Sequence, residues 1–69
     1  MPMTTFDPTR LAARRKEQGL TQRALAQKAG LSQALIAEVE RGKHPPSPSS
    51  LAKIAEALGA KPDHFSGER

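Results

Sequence analysis

The stretch TQRALAQKAGLSQALIAEVERG, from Thr21 to Gly42, restricts what this chain can become more than any other part of it. With Gln22 as the first helical position, Leu25, Ala29, Leu31, Ile36 and Val39 fall where two short helices, crossing at roughly 90 to 120°, share one core. Ala26 and Gly30 are the small residues that such a crossing requires. A bulky side chain at Ala26 would push the second helix off the first, and Gly30 can take the left-handed conformation that ends one helix and turns the chain toward the next. Thr21 is placed to cap the first helix of the pair and Ser32 the second. The second helix, about residues 32–41, is expected to present a polar face outward.

The flanking chain supplies further helices. Asp7 caps a first helix with Pro8 at its opening position, where a missing N–H costs nothing; residues 1–7 are left as a flexible arm. This helix runs to about Gln18 and stops at Gly19. Leu11 and Ala12 point inward, and Arg10, Arg14 and Lys16 are read as solvated. Arg15 lies one turn after Leu11 on the apolar side, so its guanidinium is drawn inward toward a partner. After Gly42, KHPPSPS reads as a rigid extended loop. Ser47 with Pro48 then opens a fourth helix to about Leu58 that buries Leu51, Ile54, Ala55 and Leu58. Gly59 closes it, a short last turn begins at Pro62 with Phe65 as a plug for the core, and residues 66–69 are expected to fray. There are no repeats, no strand signal and no heptad run.

Several pieces of this pattern, in this order and at these spacings, resemble the Cro/cI-type (XRE) helix-turn-helix family of bacterial and phage repressors. They are GLTQRALA at Gly19 to Ala26, LSQ at Leu31 to Gln33, VERG at Val39 to Gly42 and LAKIAEALGA at Leu51 to Ala60. The resemblance spans about Leu11 to about Phe65. It implies an all-α fold, a compact five-helix bundle of the lambda-repressor-like DNA-binding type over residues 8–65, with the helix-turn-helix at 21–42 and the third helix entering the major groove. It implies a structural ion pair between Arg15 and an acid late in the third helix, here Glu40. It assigns Gln22 a phosphate contact and places the start of the loop, Lys43 and His44, near the DNA backbone. Two positions depart from the pattern: Leu35 stands where many members carry Thr, and Glu38 where many carry Arg or another polar residue.

Charge agrees with such a partner. Residues 1–44 hold eight Lys/Arg against four Asp/Glu and residues 45–69 hold three against three, so the net +4 lies with the helix pair and the helix before it. That is the footprint expected of a nucleic-acid surface. A turn of 100° per residue puts Gln33, Ala34, Ala37, Glu38 and Arg41 on one face of the third helix, opposite Ile36 and Val39. Gln33 suits adenine N6 and N7, and Glu38 can accept from cytosine N4. Ser32 and Arg41 stand beside them, and Ala34 and Ala37 offer a surface for a thymine methyl. Gln22 sits where the unpaired N–H groups of a helix N-terminus attract phosphate, with Thr21 and Arg23 beside it.

Other classes of function find little support. With 69 residues the chain is one domain, burying only about 60% of its unfolded surface. It has no cysteine and two histidines, each in a proline-containing segment, so no nucleophile and base are brought together and no metal or cofactor site is expected. Ser47, Ser49 and Ser50 read as capping residues. No apolar run approaches the ~20 residues that span a bilayer, and MPMTTFDPTR lacks the basic-then-apolar form of a signal peptide; a cytoplasmic setting is expected. The reading is a sequence-specific DNA-binding transcriptional regulator, a repressor working as a homodimer on a two-fold operator in double-stranded DNA. The alternative is a protein-interaction module on the same fold, an antitoxin or partner-docking domain, which the apolar Leu35, Ala34 and Ala37 favour.

Overall fold

Each α-helix of the computed structural model, which describes residues 4–68, begins at a side-chain cap and has its C-cap at or one residue before a left-handed glycine. Asp7 precedes α1 (Pro8–Glu17), its carboxylate accepting from the Thr9 hydroxyl at 2.6 Å and the Thr9 N–H at 2.9 Å. Those two bonds hold the Asp7 carboxyl below its usual range. Their contribution is present above the unfolded pKa and is lost as pH falls through the lowered folded value. Thr21 caps α2 (Gln22–Ala29), its hydroxyl accepting from the Ala24 N–H at 3.0 Å, and Ser32 caps α3 (Gln33–Glu40) through the Leu35 N–H at 3.1 Å. Ser47 caps α4 (Pro48–Ala57) by way of the Ser50 N–H at 3.2 Å.

These caps aim the apolar faces at one centre. Leu11 from α1, Leu25 from α2, Ile36 and Val39 from α3, Ile54 from α4 and Leu58 just beyond it are all fully buried. Phe65 closes the base of this cluster. Ala26 is buried too, which lets α2 pack closely against both α3 and α4. Leu31 and Leu51 lie at the rim, partly exposed.

Two features differ from expectation. The described residues fold into four α-helices rather than five, because the segment from Pro62 is a single 3-10 turn, Pro62–Phe65. After Pro62 the backbone turns extended at Ser66, with φ −111° and ψ 140°, before a second turn of helix can form. The ends also meet: β1 (Thr4–Phe6) pairs antiparallel with β2 (Ser66–Glu68), with Phe6 opposite Ser66. The arm expected at 1–7 and the tail expected to fray at 66–69 are thus tied together over these six residues, and Asp7 adds a backbone bond to the Phe65 carbonyl at 2.6 Å. The rest of that arm, residues 1–3, and residue 69 lie outside the described residues.

Gly30 makes the turn between α2 and α3, at φ 72° and ψ 32°. This left-handed backbone lets the Leu31 N–H reach the Ala26 carbonyl at 2.9 Å. A Cβ built at Gly30 would meet nothing within 4 Å, so any penalty for a side chain there is backbone strain alone. Gly30→Ala is expected to destabilise the fold by about 1 to 2 kcal/mol, read as a lower urea midpoint at unchanged slope. An unchanged midpoint would mean that the turn relaxes to another conformation.

Candidate nucleic-acid interface

The inner face of α3 is locked by Ile36 and Val39, which leaves its other side to solvent. Ser32, Gln33, Ala34 and Arg41 are exposed; Ala37, Glu38 and Leu35 are half-buried. Ser32 already uses its hydroxyl oxygen as an acceptor for the Leu35 N–H. Gln33 and Arg41 make no side-chain hydrogen bond among the described residues, so their donors and acceptors are open to a ligand. The face is mixed, with the polar Ser32, Gln33, Glu38 and Arg41 around the apolar Ala34, Leu35 and Ala37.

One buried network ties this helix to the rest of the molecule. Arg15 Nε donates to Glu40 Oε2 at 2.6 Å and Nη2 to Glu40 Oε1 at 3.0 Å, a two-pronged ion pair between α1 and α3. Arg15 Nη1 donates to the Leu20 carbonyl at 2.7 Å. Gln22 joins from the first position of α2, its amide Nε2 donating to Glu40 Oε1 at 3.1 Å. An amide nitrogen carries two hydrogens, so Gln22 keeps one donor for an outside group. Beside it the backbone N–H groups of Gln22 and Arg23 point out of the helix N-terminus, since the Thr21 cap takes only that of Ala24. Arg23 and Thr21 are exposed there.

A second cluster stands at the other end of α3. Lys43 Nζ lies 3.6 Å from Glu38 Oε2 and His44 Nε2 lies 3.6 Å from Glu38 Oε1. Lys43, expected on phosphate, and Glu38, expected on a base, are therefore brought together. Sequence spacing had a signal for this: a glycine at 42 folds the next residue back over the last turn of the helix. The engagement of Gln22 by Glu40 had none, because it joins residues from two helices whose mutual angle only the packed fold defines.

Of the remaining basic side chains of α1, Arg10 donates to the Ser66 carbonyl at 2.9 Å and Arg14 to the Leu58 carbonyl at 3.3 Å. Both serve the ends of neighbouring elements. No group of three or more metal-ligating side chains occurs among the described residues, and no helix there is long and apolar enough to cross a membrane.

The sequence profile of the helix-turn-helix family matches residues 11–65. The chain is 46% identical over 59 residues to the immunity repressor protein of Bacillus phage phi105, covering 86% of this chain and 41% of that protein. It thus spans less than half the length of that relative. It is 36% identical over 59 residues to the uncharacterized HTH-type transcriptional regulator y4dJ of Sinorhizobium fredii, covering 86% of this chain and 77% of that one. Among solved structures, the restriction-modification controller protein C.AhdI from Aeromonas hydrophila superposes with a TM-score of 0.81 at 34% identity, over 84% of this chain and 88% of the other. The P22 c2 repressor in complex with synthetic operator 9T also gives 0.81, at 31% identity, over 88% of this chain and 92% of the other.

Proposed function

This chain belongs to the helix-turn-helix family, and we propose that it is a sequence-specific DNA-binding transcriptional regulator, a repressor that sets α3 into the major groove and works as a homodimer on a two-fold operator. The observation that carries this reading is the hydrogen bond from Gln22 to Glu40 at 3.1 Å, which sets the exposed N-terminus of α2 beside α3, where the Gln33 side chain and that of the capping Arg41 are open. A flanking phosphate calls for the first, and base edges in a major groove for the second. The P22 c2 repressor, so similar in fold, has been solved in complex with a synthetic operator, which supports the same use here.

In this reading Thr21, Arg23, the spare Gln22 donor and the free N–H groups of α2 fix the register on the backbone. Gln33 reads adenine, with Arg41 beside it, and Ala34 lets the helix approach closely. An operator so occupied is closed to polymerase. The test is a mobility shift against random duplex pools at two salt concentrations, with sequencing of the bound DNA. Gln33→Ala is expected to leave general affinity intact and to lower discrimination at one adenine pair by about 1 to 3 kcal/mol. The exposed Ala34 with the half-buried Leu35 and Ala37 favours a second reading, a surface that docks a protein. Absence of any selected sequence at low salt would decide for it.

A further inference from the structure

Glu38 sits on the face proposed for DNA, where a lone carboxylate would meet a strongly negative surface. The fold does not leave it alone. Gly42, at φ 75°, closes α3 so that its own N–H reaches the Val39 carbonyl at 3.1 Å and the N–H of Lys43 reaches the Glu38 carbonyl, also at 3.1 Å. In this glycine closure the residue after the turn lies directly over the one that began the last turn, a position usually filled by an apolar pair. Here the pair is Lys43 and Glu38. Lys43 Nζ stands 3.6 Å from one carboxylate oxygen and His44 Nε2 3.6 Å from the other, while His44 Nδ1 lies 3.2 Å from the Pro45 carbonyl. The Glu38 side chain keeps 34% of its exposure, enough for a groove partner to reach it.

We infer that Lys43, with His44 beside it, is a positioning residue for specificity. It offsets and orients the Glu38 carboxylate so that this acid can accept from the amino group of a cytosine in the groove, and it is not a general phosphate contact. A pair this exposed adds little to the stability of the free protein, so what it contributes is the direction and charge of the acid. The inference rests on the DNA-binding reading above and assigns Lys43 and Glu38 one joint role within it.

The experiment measures binding of the wild-type chain, Lys43→Ala, Glu38→Ala, the double variant and Lys43→Arg to a selected duplex, and to duplexes changed at one base pair at a time, over a range of salt. Lys43→Ala alone is expected to leave the slope of log K against log salt nearly unchanged, because Lys43 neutralises Glu38 and no phosphate. Glu38→Ala should release Lys43 to the backbone and steepen the slope by about 0.9, and the double variant should lose that gain. Both single alanine variants should lose discrimination at the same cytosine pair, by about fivefold or more, and Lys43→Arg should retain it. If Lys43→Ala instead makes the slope shallower by about 0.9 and weakens every duplex alike, whatever stands at 38, Lys43 is an ordinary phosphate contact and the inference is overturned while DNA binding stands. Unchanged discrimination in Glu38→Ala overturns it as well. If the wild-type chain retains no duplex at any salt, the DNA-binding reading fails and takes the inference with it.

Discussion

Arg15→Ala is expected to lower the stability of the domain by about 3 to 5 kcal/mol, because removing one partner strands the other charge in the interior. The side chains of Arg15 and Glu40 are only 11% and 7% exposed, so water cannot take over for the lost guanidinium. Glu40 would keep a single amide bond from Gln22, and the Leu20 carbonyl would lose its donor. A core in a chain of this size supplies roughly 3 to 5 kcal/mol in all, so the variant should be largely unfolded near room temperature. Urea and thermal unfolding followed by circular dichroism check this. A melting point within a few degrees of wild type would mean that the pair is not desolvated. Arg15→Met together with Glu40→Leu separates the loss of the pair from the stranding of a charge, since apolar replacement of both partners is often neutral or stabilising. That double variant should recover most of the loss in stability. It should nonetheless bind DNA more weakly, because Gln22 loses the carboxylate that orients it.

The parts of this molecule legible in its sequence are those written in local chemistry. Thr21 and Gly30 bound α2, and Ser32 and Gly42 frame α3, because caps and left-handed glycines act within a few residues. The apolar spacing of Leu11, Leu25, Ile36, Val39 and Ile54 marks the faces that bury, and all five are fully buried. What escaped is non-local or too short to carry a period. Thr4–Phe6 and Ser66–Glu68 are three-residue strands from opposite ends of the chain, and nothing within either segment alternates long enough to announce a pairing. Pro62 opens a turn as Pro48 does, but Lys61 before it makes no side-chain cap where Ser47 does, and the backbone turns extended at Ser66 after a single 3-10 turn. The candidate interface shows the same division. Which residues of α3 face outward follows from a 100° turn per residue, whereas the tethering of Gln22 to Glu40 depends on how α2 and α3 cross.

For the proposed dimer on a two-fold operator, a half-turn insertion between the two half-sites is expected to cost about 2 to 5 kcal/mol of binding. The α3 helix holds eight residues, and the open polar side chains on its outer face are few. One such helix reads too few base pairs to single out a site among the many a genome offers. A homodimer on a two-fold site solves this by reading the same short sequence twice, with half-sites about 34 Å or 10 base pairs apart, one turn of B-DNA. Specific binding of such proteins exceeds their non-specific binding by about 4 to 10 kcal/mol, and each half-site carries roughly half of that margin. Five inserted base pairs rotate the second half-site to the far side of the duplex, so a rigid dimer must give up its contribution, whereas ten restore the phase. The measurement is affinity for a selected operator and for derivatives carrying insertions of five and ten base pairs, with stoichiometry read in parallel by analytical ultracentrifugation. Loss at five with recovery at ten supports a two-fold dimer in fixed register. Equal affinity for all three, with one chain bound per half-site, would mean that the protein reads DNA as a monomer.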